Sequence, residues 1–152
     1  MRIALDATVL VRAHPRSRSA GRKALNAVLE GRHTLLLSNE IIVETTRVLR
    51  YPRLQKLYAL TDDELYDYAQ FLQEVSQMVV LGHPYHAPLR DPNDLDVIQT
   101  AERGDADVLC SNDADFHDTA IIASVRRAAS TCAMRRRYWR ASFHESYHYL
   151  SV

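Results

Sequence analysis

A chain of 152 residues, 47% of them hydrophobic, with 19 basic and 19 acidic side chains, has the size and composition of one self-sufficient domain. It holds no apolar run near the ~20 residues of a membrane span, so no membrane anchor is expected. Two cysteines, Cys110 and Cys132, are too few for a disulfide framework, and Arg2 with a short apolar run leads straight to Asp6 with nothing like a signal peptide; a reducing, cytoplasmic setting is expected.

The zero net charge is unevenly spread. Residues 1–118 carry 13 Lys and Arg against 18 Asp and Glu, whereas residues 119–152 carry 6 Arg against Glu145 alone. The opening stretch, Met1 to Val11 (MRIALDATVLV), reads as a buried strand through Ile3, Ala4 and Leu5 that ends in a carboxylate, Asp6. At the carboxyl end of a parallel strand that acid would face the crevice where open α/β sheets bind ligands. Between Asp6 and Glu30 stand Arg12, Arg16, Arg18, Arg22 and Lys23 with no acid. Such a cluster beside an acidic strand end suits a polyanion, or else is a solvated helix face.

His14 to Ser19 reads as a loop and Ala20 to Leu29 as a helix stopped by Gly31. Thr34 to Leu37 is a short apolar strand, and Ser38-Asn39 offers a cap to a helix running to about Arg50, before Pro52. On that helix Ile41, Ile42, Thr45, Val48 and Leu49 form one stripe, with Glu44 at its edge and Glu40 outside it. Thr61 and Glu64 form a capping box for a helix over Asp62 to about Gln77. Val79 to Leu81 reads as a strand, and the Pro-rich loop after it holds His83 and His86, a weak pair of metal ligands without further neighbours. Asp94 opens a helix to Arg103, closed by Gly104, with Asp94 on its inward side; capping is the structural alternative for that acid. Asp107 to Ser111 is a strand that again runs into acids, Asp113 and Asp115.

Four carboxylates, Asp6, Glu44, Asp94 and Asp113, therefore point toward one strand-end crevice. Without a cation they would repel, whereas Mg²⁺ or Mn²⁺ with hard oxygen ligands relieves the repulsion and equips the site for phosphodiester hydrolysis. The residues that carry this reading are Asp6 in LDATVLV, Glu44 in SNEIIVETTRVL, Asp94 in DLDVIQTA, and Ser111, Asp113, Asp115 and Phe116 in SNDADF. In this order they resemble the PIN-domain nucleases, and within them the VapC-like toxins of toxin–antitoxin systems, over most of residues 1–118.

The resemblance implies an α/β fold, a Rossmann-like α/β/α sandwich around a central, mainly parallel sheet. It implies a metal-dependent endoribonuclease that cleaves single-stranded RNA through metal-activated water. Asp6, Glu44, Asp94 and Asp113 would surround Mg²⁺ or Mn²⁺, with Asp115 as a further or alternative ligand and Thr8 and Ser111 as supporting hydroxyls. It also implies a homodimer and a cognate antitoxin protein as partner. Arg12, Arg16 and Arg18 are candidate RNA phosphate contacts on charge and position alone.

Residues 119–152 depart from the family pattern. They hold no proline or glycine, no final strand is evident, and they are taken as a basic C-terminal segment of the same domain. This segment contains His144-Glu145-Ser146-Tyr147-His148, which fits the H-E-x-x-H pattern of zinc peptidases but has no downstream third ligand. Two further alternatives stand: a phosphoaspartate-type phosphatase, against which Thr8 replaces the usual second acid, and a PIN-like module that binds RNA or protein without cutting.

Overall fold

The computed structural model describes residues 1–31, 33–82, 92–112 and 148–151, with the backbone alone at 92–94 and 148–151. The elements run β1 (Arg2–Leu5), α1 (Ala7–Ala13), α2 (Ala20–Glu30), β2 (Thr34–Leu37), α3 (Asn39–Leu49), α4 (Pro52–Tyr58), α5 (Asp62–Val75), β3 (Ser76–Met78), α6 (Pro92–Arg103), β4 (Val108–Ser111) and β5 (His148–Ser151). Their strands form one sheet in the order β3-β2-β1-β4-β5. The first four are parallel, and β5 joins antiparallel to β4. Among the described residues six helices flank this sheet, which is the expected α/β sandwich.

β1 is central because Ile3, Ala4 and Leu5 have no polar face to offer water: each is at most 1% exposed. The chain leaves β1 toward β2 and β3 on one side and returns to β4 on the other. That reversal makes the carboxyl ends of β1 and β4 a topological switch point, the place where open sheets form a binding crevice.

Three elements differ from the sequence expectation. The apolar run after Asp6, beyond the end of the expected strand and given no element of its own, is α1, a helix buried on nearly every side through Ala7, Val9, Leu10, Val11 and Ala13. β-branched residues there suit a strand by propensity, and burial against α2 and α3 overrides it. Gly21 makes the packing possible, since a Cβ at that position would stand 2.7 Å from the Val9 carbonyl oxygen.

α4 was not expected. It starts with Pro52, buries none of its residues, and ends at Ala59 in the left-handed region (φ 47°). Gln55 Nε2 ties it back by donating to the Leu49 carbonyl (3.1 Å). β3 falls at Ser76–Met78 rather than at the more apolar Val79 to Leu81, because α5 ends at Val75 and the chain pairs at once with β2, Leu35 opposite Ser76. Val79 N–H adds one further bond, to the Leu37 carbonyl (2.8 Å).

Other signals act as read. Ser38 accepts from Ile41 N–H at the start of α3, and Thr61 and Glu64 close a reciprocal capping box on α5. At the end of α6 the left-handed residue is Asp105 (φ 48°), one position after the expected Gly104. Ala106 N–H donates to the Ala101 carbonyl (2.9 Å) and Asp105 N–H to that of Glu102 (3.2 Å), a Schellman ending. Gly104 is needed for room instead, because a Cβ would meet Leu36 Cδ1 at 2.8 Å.

Candidate active site

The carboxyl ends of β1 and β4 bring distant residues together. Register pairs Leu5 with Cys110, and Asp6 N–H extends the ladder by donating to the Cys110 carbonyl (3.0 Å). Asp6 thereby lies beside Ser111, 105 positions away in sequence. The chain turns at Asp6 (φ −73°, ψ 154°), which sits at the N-cap position of α1 yet makes no capping bond with its side chain. The carboxylate is thus available for another purpose.

One of its oxygens is held twice. Thr8 Oγ1 and Ser111 Oγ each donate to Asp6 Oδ2 at 2.6 Å. Asp6 and Ser111 are 5% and 4% exposed, whereas Thr8 is exposed, so the group opens to solvent on the Thr8 side. Asn112 N–H completes the loop by donating to Thr8 Oγ1 (3.4 Å). Two short hydroxyl bonds to a single oxygen fix the rotation of the carboxylate, and among the described residues Oδ1 accepts no hydrogen bond. The adjoining Cys110 is no competitor for a soft metal: burial pushes its thiol up to about 12, which keeps it protonated and inert.

Glu44 is on the second turn of α3, a helix packed on α1. Its side chain is half-buried, and both carboxylate oxygens accept from Arg47, Nε to Oε2 and Nη2 to Oε1, each at 2.7 Å. The Arg47 guanidinium also lies 5.9 Å from the Tyr51 ring centre. The angular count expected Glu40 to be the more exposed acid, but both glutamates are intermediate in exposure. Asp94 opens the first turns of α6 as expected. Its side chain lies outside the described residues, as do Asp113, Asp115, His83 and His86. Among the described residues no three His, Cys, Asp or Glu side chains group to hold a metal ion.

The basic cluster divides. Arg12 and Arg18 are exposed. Arg16 is committed to the fold, with Nη1 donating to the carbonyls of Tyr58 (2.7 Å) and Ala59 (3.0 Å) and Nη2 paired with Glu64. In the C-terminal segment, His148 begins strand β5 opposite Ser111, where the H-E-x-x-H reading needs a helix. That reading is therefore set aside.

Two residues near the site were not singled out from sequence. Arg47 could have been found from its i, i+3 spacing to Glu44. Asn112 gave no signal beyond its place between Ser111 and Asp113. Its side-chain Nδ2 is buried with no hydrogen-bond partner among the described residues, an arrangement that ordinarily costs ~1–3 kcal/mol.

The donor set fits a hard cation. The described groups that converge are a carboxylate and two hydroxyls, all oxygen, next to a protonated thiol. The family model described as a PIN domain matches residues 2–115. No curated protein matches the chain. No helix among the described residues is long and apolar enough to cross a membrane.

Proposed function

Because the chain belongs to the PIN-domain family, whose members are generally nucleases that act on RNA, we propose that it is a metal-dependent endoribonuclease cutting single-stranded RNA at the carboxyl ends of β1 and β4. The observation that carries this reading is the buried Asp6 carboxylate, locked at Oδ2 by Thr8 and Ser111 and kept out of helix capping.

Asp6, Glu44, Asp94 and Asp113 would hold Mg²⁺ or Mn²⁺, with Asp115 as a further ligand. When bound, the ion supplies positive charge against the phosphate and a water activated for attack. The protein's own part is orientation. Thr8 and Ser111 hold Asp6 in one rotamer, so the acid need not be ordered when substrate arrives. Glu44 must exchange Arg47 for the shared site, and a partly exposed pair of this kind opposes the exchange by no more than ~1 kcal/mol. Arg12, exposed in the last turn of α1, and Arg18, exposed in the segment after it, can meet RNA phosphates; Arg16 would have to leave Glu64 to do so.

We assign the protein, on the same resemblance, as the toxin of a toxin–antitoxin pair, acting in the cytoplasm as a homodimer and held in check by an antitoxin protein. The bidentate Glu44–Arg47 pair favours one other reading, a PIN-like module that binds RNA without cutting, because both oxygens of that acid are already engaged. The discriminating experiment is cleavage of single-stranded RNA with Mg²⁺ or Mn²⁺, comparing wild type with Asp6→Asn and Asp94→Asn. Loss of cleavage in both variants is expected. Binding without cleavage in wild type would give the non-catalytic reading, and equal cleavage in all three would remove the assigned site.

A further inference from the structure

α1 carries Asp6 at one end and His14 at the other, and its seven residues set the two ends apart by ~10 Å at 1.5 Å per residue. Beyond the His14 end, against α2 and α5, lies a cleft of about 280 Å³. Its back wall is aromatic: Tyr68 and Phe71 stack with ring centres 6.4 Å apart at 16°. His14 meets Tyr68 edge-on at 5.0 Å. Tyr68 is fixed by its hydroxyl donating to the Leu10 carbonyl (2.8 Å), and Phe71 is half-buried and lines the cleft.

The charged rim is balanced. Arg16 and Glu64 pair with each other, leaving Arg22 and Asp67. Arg22 uses Nη1 for the Ala13 carbonyl (3.1 Å), and neither its other nitrogens nor the Asp67 carboxylate has a hydrogen-bond partner among the described residues. A rim with one free donor group, one free acceptor and no excess charge does not favour a phosphate. It favours a neutral flat ring that carries both donors and acceptors. A volume of about 280 Å³ admits one such ring and is too small for a folded segment of a partner.

We propose that this cleft is a base-binding subsite, in which one unpaired nucleobase bearing an exocyclic amine stacks on Phe71, donates to Asp67 and accepts from Arg22. The subsite rests on the nuclease reading and adds base selection to it. A carboxylate accepts from the exocyclic amines of guanine, adenine and cytosine, and an arginine donates to the O6 and N7 acceptors of guanine. Guanine satisfies both groups. Uracil has no amine and is the poorest ligand. With the cleft about one short helix away from Asp6, a strand whose base is held there runs along α1 toward the carboxylate end.

The test uses the full chain and two readouts. In the first, guanosine, adenosine, cytidine and uridine are added singly, and ligand-observed NMR reads their binding. In the second, single-stranded RNA oligonucleotides differing at one position are cut in Mn²⁺ and the preferred base near the cut is read. The variants are Phe71→Ala, the fold-preserving surface change Asp67→Asn, and Tyr66→Ala as a control on α5, where Tyr66 is exposed and outside the cleft.

Wild type is expected to bind guanosine most strongly and uridine least. Phe71→Ala should weaken binding roughly 5- to 150-fold, the range of one lost base–aromatic stack. Asp67→Asn, which keeps one acceptor oxygen but loses the charge, should weaken the preference for amino-bearing bases, and Tyr66→Ala should behave as wild type. Nucleoside binding lost in Phe71→Ala, with no cleavage by any form, supports the cleft and overturns the nuclease reading. Cleavage with a base preference unchanged in Phe71→Ala and Asp67→Asn overturns the subsite and leaves the nuclease standing. No nucleoside binding by wild type also overturns it, and leaves the cleft to a side chain from a protein partner.

Discussion

Ser111→Ala tests the centre of the site directly. Ser111 Oγ and Thr8 Oγ1 converge on one oxygen of Asp6, and with Asp6 5% exposed little water is at hand to replace a lost donor. A hydrogen bond to a charged group contributes ~1.5–3 kcal/mol. Because Thr8 remains after the substitution, the low end applies and a loss of about 1–2 kcal/mol is expected. For a chain of this length that corresponds to a fall in melting temperature of roughly 2–8 °C.

Thr8→Val should cost about as much or less, since Thr8 is exposed and water can substitute for it. In the double variant Oδ2 loses both donors at once, so the combined cost should exceed the sum of the single costs by at least ~0.5 kcal/mol. Denaturant unfolding of the four forms measures this cycle, and RNA cleavage measures its consequence. An acid no longer held by its supporting hydroxyl should lose ~10–100-fold in metal affinity or activity. Two outcomes would refute the reasoning: a Ser111→Ala variant as stable and active as wild type, or strictly additive costs, which would mean that the two hydroxyls do not share an acceptor.

Arg47→Gln should release Glu44 at a stability cost below ~1 kcal/mol and tighten Mn²⁺ binding in a calorimetric titration; an unchanged or weaker affinity would count against Glu44 as a ligand. Asn112→Ala removes a buried donor with no partner among the described residues, so thermal stability should hold or rise while RNA cleavage falls. A drop in stability would show that the amide is structurally engaged. Ala59→Gly relieves a left-handed alanine and should stabilise the chain by up to ~1 kcal/mol in thermal unfolding, a gain that a net loss would disprove.

His14 supplies the pH test. Burial first, and then Arg16 and Arg22, hold its pKa below 6.5 against the opposing pull of Glu64. The folded state therefore disfavours the proton more than the unfolded state does. The associated stability is fully present above pH 6.5 and declines as pH falls toward the lowered value. Stability measured at pH 7.5 and 5 should differ less in His14→Gln than in wild type. His33, also lowered mainly by burial, contributes its own slope to both forms, so an identical pH dependence in the two would remove the assignment.

How far the sequence reads depends on the range of the interaction concerned. The Ser38 cap, the Thr61–Glu64 box and the apolar β2 run are decided by residues within four positions of one another, so pattern alone located them. α1 gave no helical signal because its apolar run has strand-like chemistry and becomes helix only when α2 and α3 enclose it. β3 was misplaced because its pairing follows from where α5 ends, while the apolarity that marks Val79 belongs to the next step of the chain. α4 has no fully buried residue, and its inward face is only Leu54 and Tyr58, half-buried against the core, too short a stripe for periodicity to mark.

The site divides in the same way. An acid after an apolar strand marked Asp6, and a second strand running into acids marked Ser111 and its neighbours. That one oxygen of Asp6 receives both hydroxyls across 105 positions is the work of the parallel β1–β4 register. Helical periodicity put Glu44 at the edge of the buried stripe of α3, but its engagement by Arg47 is a choice of rotamer that only packed side chains settle. The cleft beside His14 lies furthest from anything a linear pattern shows. Its walls come from the end of α1, from α2 and from α5, and nothing but the folding of those three helices onto one another places Arg22, Asp67 and Phe71 around a common space.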